Sequence, residues 1–101
     1  MYIYNVTTKV AHNIHTDWFH WMKNDHIPAV MEKGCFTKHV FVRLLDIDEE
    51  DGATYAVQYF ANDLAHYNKY IAEFAASLRN ENLLKWGNNT VAYRTLMQIV
   101  N

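Results

Sequence analysis

The chain has 101 residues, half of them hydrophobic and a fifth charged, with a net charge of −2. That length fits a single domain, residues 1–101, with one core, and the composition excludes a disordered chain. Near-neutral charge without a basic stripe argues against nucleic acid or an anionic membrane as partner, and no apolar run approaches the roughly 18 residues of a membrane helix.

The first residues carry no charged segment followed by an apolar run, so no signal peptide is expected. Cys35 is the one cysteine and permits no internal disulfide; the expected location is cytoplasmic. Aromatic residues make up 15% of the chain, more than a small monomer readily hides, which points toward self-association.

Residues 2–10 alternate in polarity and predict a strand, with Tyr2, Tyr4, Val6 and Val10 on one face. Asn13 is placed to cap a first helix from Ile14 to about Asp25. At 100° per residue, Ile14, Trp18, Trp21, Met22, Asp25 and Ala29 share one side, which predicts a buried stripe with a carboxylate inside it. Pro28 predicts a break or kink, followed by a short piece through Lys33 that Gly34 stops. Phe36–Asp46 reads as the second strand, residues 46–52 as a polar turn and Ala53–Ala61 as the third strand, making a hairpin. Asn62 is expected to cap a second helix with the stripe Leu64, Tyr67, Ile71, Phe74, Ala75 and Leu78. Residues 79–86 suggest a short extra turn closed by Gly87, and residues 90–100 the last strand.

The order β-α-β-β-α-β predicts an α+β, ferredoxin-like sandwich: a four-stranded antiparallel sheet of order 4-1-3-2 with two helices on one face. With Tyr4, Val6, Val40, Val42, Val57, Tyr59, Tyr93 and Met97 toward the helices, the other face holds Ile3, Phe41, Leu45, Phe60, Leu96 and Val100. Asn5, His39, Arg43, Gln58, Arg94 and Gln98 join them there. A face so rich in large apolar groups suits packing on a copy of itself, so Asn5, His39, Phe41, Arg43, Gln58, Phe60, Arg94 and Gln98 are the expected homodimer interface.

His26 is the natural candidate for a general acid or base, with a carboxyl of raised pKa at Asp25 as its companion. Trp18, Trp21, Met22, Tyr55, Tyr59 and Tyr93 are candidates to line a pocket for a planar ligand, although helical aromatics at this spacing equally fill a core. His12, His15 and His20 lack metal-ligand spacing, and the acidic turn places its glycine one position late for a calcium loop. No metal and no cofactor is expected.

The run Trp18-x-x-Trp21-Met22-x-x-x-His26-Ile27-Pro28, with Gly34-x-Phe36, Tyr55-x-Val57-Gln58-Tyr59-Phe60 and Arg94-Thr95-Leu96, resembles a small bacterial family known as a domain of unknown function. That family lies within the dimeric α+β barrel superfamily, whose fold and dimer the resemblance implies. The wider superfamily includes cofactor-free monooxygenases of quinol-type substrates, heme-binding proteins and isomerases. Asn5, Trp18 and His26 resemble the Trp, Asn and His arrangement of the monooxygenases, but Asn5 reads onto the opposite sheet face. The leading expectation is a homodimer that binds a small aromatic or amphipathic molecule between the first helix and the sheet. The alternatives are a cofactor-independent monooxygenase or isomerase with His26 as general base, and a structural or partner-binding dimer without a ligand.

Overall fold

Strand β1 (Tyr2–Val10) pairs antiparallel with both β3 (Ala53–Ala61) and β4 (Thr90–Gln98), and β2 (Lys38–Arg43) pairs antiparallel with β3. The computed structural model, which describes residues 1–101, thus has the sheet order β2-β3-β1-β4, the expected order read from its other edge. Two long helices, α1 (residues 15–32) and α2 (residues 64–86), cover one face. The core lies between the layers: Trp18, Met22, Ile27 and Val30 of α1 and Tyr70, Ala75, Leu78 and Trp86 of α2 meet Tyr4, Val10, Tyr55, Val57 and Tyr59 of the sheet. No helix is long and apolar enough to cross a membrane.

Helix α1 does not break at Pro28. It starts as an α-helix over His15–Trp21, widens to a π-helical turn over Met22–His26, and resumes as an α-helix over Ile27–Glu32. The cause is local. Proline has no N–H to give the carbonyl of Asn24 and its ring crowds that oxygen, while the Ile27 N–H bonds the Met22 carbonyl five residues back. The inserted residue advances the buried face, so that Met22 is followed inward by His26, Ile27 and Val30, and Asp25 turns to solvent. This corrects the stripe drawn with a constant period. Asn13 does not cap α1 either: it lies in a short 3-10 turn, His12–Ile14, and the helix begins without a side-chain cap.

Helix α2 is continuous from Leu64 to Trp86, so residues 79–86 extend it rather than form a separate turn. It also contains a π-helical turn, Ile71–Ala75, and ends at Gly87 with φ +55. Its cap is Asp63, not Asn62. The Asp63 carboxylate accepts the His66 N–H at 2.9 Å and faces His66 Nδ1 at 2.7 Å, and these bonds hold its pKa below the ordinary value.

The strand faces divide by register. Cross-strand pairing puts Ile3, Asn5, Thr7, Gln58 and Phe60 on the outer face, as expected. In β2 and β4 the parity is opposite to the expectation. His39, Phe41 and Arg43 pair with Tyr59, Val57 and Tyr55, and Arg94, Leu96 and Gln98 pair with Val6, Tyr4 and Tyr2; all six lie on the helix side. Val40, Val42, Tyr93 and Met97 take the outer face instead. In β2 the reason is a bend at Thr37, whose N–H and hydroxyl both bond the Phe60 carbonyl. Phe36 enters the core before that bend, so the strand leaves it one residue out of phase. In β4 the helices cover so little that nearly every side chain stays at least partly exposed, and apolarity does not report which face looks inward.

The hairpin loop after β2 is held by the Arg43–Glu49 ion pair at 2.9 Å and by His12 Nε2, which donates to the Glu49 carbonyl at 2.9 Å. Gly52, with φ +146, closes the loop against β1; a Cβ there would stand 2.0 Å from the Val10 carbonyl oxygen. Gly52→Ala is therefore expected to destabilise the fold by about 2 kcal/mol or more, measured by urea unfolding. An unchanged midpoint would mean that the loop moves away at no cost.

Candidate functional site

A cavity of about 30 Å³ opens between the two helices and the sheet. That is space for about one or two water molecules. Strand β1 contributes Tyr4, Val6 and Thr8, β3 contributes Val57 and Tyr59, and β4 contributes Arg94. From above come Met22, His26 and Val30 of α1 and Tyr70, Leu78, Arg79 and Asn82 of α2. Met22 and His26 are the first and last residues of one π-helical turn, and Tyr70 immediately precedes the other. Such turns redirect side chains that a regular helix would aim elsewhere, and they recur at working sites. Here the first one aims His26 inward.

The His26 ring stacks on Trp21 at 4.8 Å with 26° between planes, and Trp21 in turn meets the Trp86 ring edge-on. Its Nδ1 is buried and has no hydrogen-bond partner within the chain. Burial, and then the positive charge of Arg94, lower the His26 pKa to about 4. The imidazole is therefore neutral at neutral pH, below the range expected from an unperturbed histidine. Asn82, another lining residue, also has a buried polar atom without a partner, its Oδ1. Arg79 Nη2 donates to the Tyr4 hydroxyl at 3.1 Å. Burial raises the pKa of Tyr59 and of Tyr70, so both phenols stay protonated and offer O–H donors. The cavity thus presents two cations, a neutral imidazole, an amide and several phenols among walls of valine, leucine and methionine.

Residues 1–100 match the family model DUF4286, described as a domain of unknown function. The chain belongs to the DUF4286 family. Among curated proteins none matches it in sequence. The fold of this DUF4286 chain is similar to that of a dimeric ferredoxin-like protein from an uncultured marine organism, with TM-score 0.73 and 13% identity over 99% of this chain and 95% of that one. It is also similar to SnoaB, a cofactor-independent oxygenase from Streptomyces nogalater, with TM-score 0.69 and 13% identity over 99% of this chain and 94% of that one. A third likeness is to an ethyl tert-butyl ether D (EthD) family protein from Bacillus halodurans, with TM-score 0.68 and 8% identity over 99% and 100% of the two chains. These likenesses show that the DUF4286 chain has a ferredoxin-like fold.

The residues singled out from the sequence fall in different places. Met22, Tyr59 and His26 line the cavity. Trp18 is core, 1% exposed, packed on Phe41 and Tyr55. Trp21 backs His26 from outside and, with Asp25, lines a separate surface cleft between the helices that also holds Asp17, His20, Asn24, Lys85 and Trp86. Asp25 and His26 therefore do not share a pocket. Tyr55 is buried on the helix side, where its hydroxyl and His15 Nε2 are 2.7 Å apart. Tyr93 is on the outer face and 62% exposed, away from any pocket on the helix side.

Of the residues expected on the outer face, Asn5, Gln58 and Phe60 are there, while His39, Phe41, Arg43, Arg94 and Gln98 are on the helix side. Asn5 Nδ2 donates to Thr7 Oγ1 at 2.9 Å on that outer face, so it does not join Trp18 and His26. The polar cavity residues not foreseen are Tyr4, Thr8, Tyr70, Arg79, Asn82 and Arg94. Arg79 and Asn82 follow Leu78 by one and four positions, a signal that becomes readable once α2 is known to run unbroken to Trp86.

Proposed function

We propose that this DUF4286 chain is a homodimer in which each protomer binds a small molecule in the cavity between its helices and its sheet. The binding half rests on one observation: His26 and Asn82 both line the cavity, and each has a buried polar atom, Nδ1 and Oδ1, with no partner in the chain. Buried polar groups are nearly always paired, and an exception marks a place where something else completes them. The range of candidate ligands narrows accordingly. A cavity of about 30 Å³ admits the polar end of an amphipathic molecule, and the rest of that molecule would lie at the mouth beside the exposed arginines.

The dimer half is supported by the uncovered sheet face. Val40, Val42, Val91 and Tyr93 are exposed there, and its paired positions carry Lys9 and Lys38 but no acidic residue. Three strands of nine residues and one of six give a face about 30 Å long and about 19 Å wide, roughly two thirds of one partner's share of a standard interface. The similar fold from an uncultured marine organism is dimeric, which supports the same arrangement here. Wild-type protein is expected to sediment as a dimer, and a Val42→Asp/Tyr93→Asp double variant as a folded monomer. A wild-type monomer at micromolar concentration would remove the dimer.

A second reading is that the cavity performs cofactor-independent chemistry, an oxygenation or an isomerisation with His26 as general base. The neutral imidazole with an unpartnered ring nitrogen favours it, and SnoaB, of similar fold, is a cofactor-independent oxygenase. Asp25 has no part in it, since it faces the outer cleft.

A further inference from the structure

No carboxylate lines the helix–sheet cavity, although two guanidinium groups do. Neither Arg79 nor Arg94 takes part in an ion pair; the pairs of this chain are Lys9–Asp51, Arg43–Glu49 and His66–Asp63. Both arginines are exposed residues, so they stand at the mouth, while His26 and Asn82 lie deeper. Positive charge at the entrance of a small polar space, with apolar walls behind it, favours an anion. The planar fork of arginine matches the two oxygens of a carboxylate, and a cavity of about 30 Å³ suits such a head better than a tetrahedral dianion.

Resting on the binding site proposed above, we infer that the cavity takes the carboxylate head of a small organic acid, held by Arg94 and Arg79, and that binding draws a proton onto His26. Proton uptake follows from what surrounds the imidazole. The charged or titratable groups around the cavity are Tyr4 from β1, Tyr59 from β3, Arg94 from β4, and Tyr70 and Arg79 from α2, and no carboxylate is among them. A carboxylate beside Arg94 cancels its repulsion of the imidazolium and adds an attraction of its own. His26 then donates to the acid rather than waiting unpaired. The Asn82 amide meets either a donor or an acceptor, because its two ends exchange by rotation.

The test uses the full chain at constant ionic strength, with acetate and benzoate as probes and acetamide and benzamide as their uncharged controls. Binding is read from the His26 imidazole resonances and from binding heats in buffers of different ionisation enthalpy. The acids are expected to bind saturably, to raise the His26 pKa by about one unit or more, and to take up protons at about pH 5.5. Arg94→Gln should weaken binding at least tenfold and reduce the proton uptake per bound acid, whereas Arg94→Lys, which keeps the charge without the fork, should weaken binding and retain the full uptake. Acids that bind without moving His26, or amides that bind as well as acids, would overturn the inference and leave the cavity as a ligand site. If neither acids nor amides disturb His26, the carboxylate assignment is overturned. If unrelated polar fragments leave it undisturbed as well, the binding site itself falls.

Discussion

Trp18→Ala is expected to destabilise the protein by about 4 kcal/mol, the largest effect of any single truncation in the core. The indole is 1% exposed and packs edge-on against Phe41 and at a tilt against Tyr55, with Phe19 closing the same cluster. Alanine would leave a cavity under the middle of α1 that rigid aromatic neighbours cannot fill. Trp18→Phe is expected to cost much less, about 1 kcal/mol, for a particular reason: Trp18 Nε1 is buried without an acceptor. Phenylalanine loses volume but also removes that unpaired N–H, and the two effects oppose each other. Urea unfolding of the three proteins checks both numbers. Equal losses for alanine and phenylalanine would show that the indole N–H has a partner, a bound water for instance, and that its loss is felt.

The second large effect depends on pH. The His26 pKa is about 4 in the folded chain against 6.5 for the unperturbed group, so between those values the unfolded chain binds a proton that the folded one refuses. Stability contributed by the neutral buried ring is present above about pH 6.5 and is lost as pH falls toward about 4, where the folded form begins to protonate as well. A difference of about 2.5 units corresponds to about 3 kcal/mol. His26→Phe keeps a flat ring to stack on Trp21 and removes the titration. The variant is expected to lose about 3 kcal/mol less than the wild type on acidification from about pH 7 to about pH 4, measured by urea unfolding at each pH. Parallel curves for the two proteins would show that His26 is not desolvated in the folded state.

Much of the fold could be read from alternation and from helical period, because β1, β3 and both helices carry those patterns with few interruptions. The cavity was legible only in part, and each miss has a local cause. A constant 100° per residue cannot anticipate the wide turn that Pro28 imposes, and one inserted residue exchanges Asp25 for His26 on the inner face. A bend at Thr37, of the kind that side-chain and main-chain bonds to one carbonyl create, inverted β2. The parity of β4 was beyond reach of apolarity, since Arg94, Leu96 and Gln98 face the helix side while Tyr93 and Met97 do not. Arg94 therefore moved from an expected interface to the mouth of the cavity. His26 was singled out beside Pro28 and two tryptophans, and the wide turn before Pro28 is what brings it to the cavity.

A native mass spectrum of the protein isolated from its own cells puts the paired, ligand-holding protomer to the most direct trial, since stoichiometry and cargo are read together. The expected spectrum shows twice the protomer mass with a small acid retained, and a Val42→Asp/Tyr93→Asp protein at the mass of one protomer. A wild-type spectrum of single, unloaded protomers under the same gentle conditions would contradict both halves.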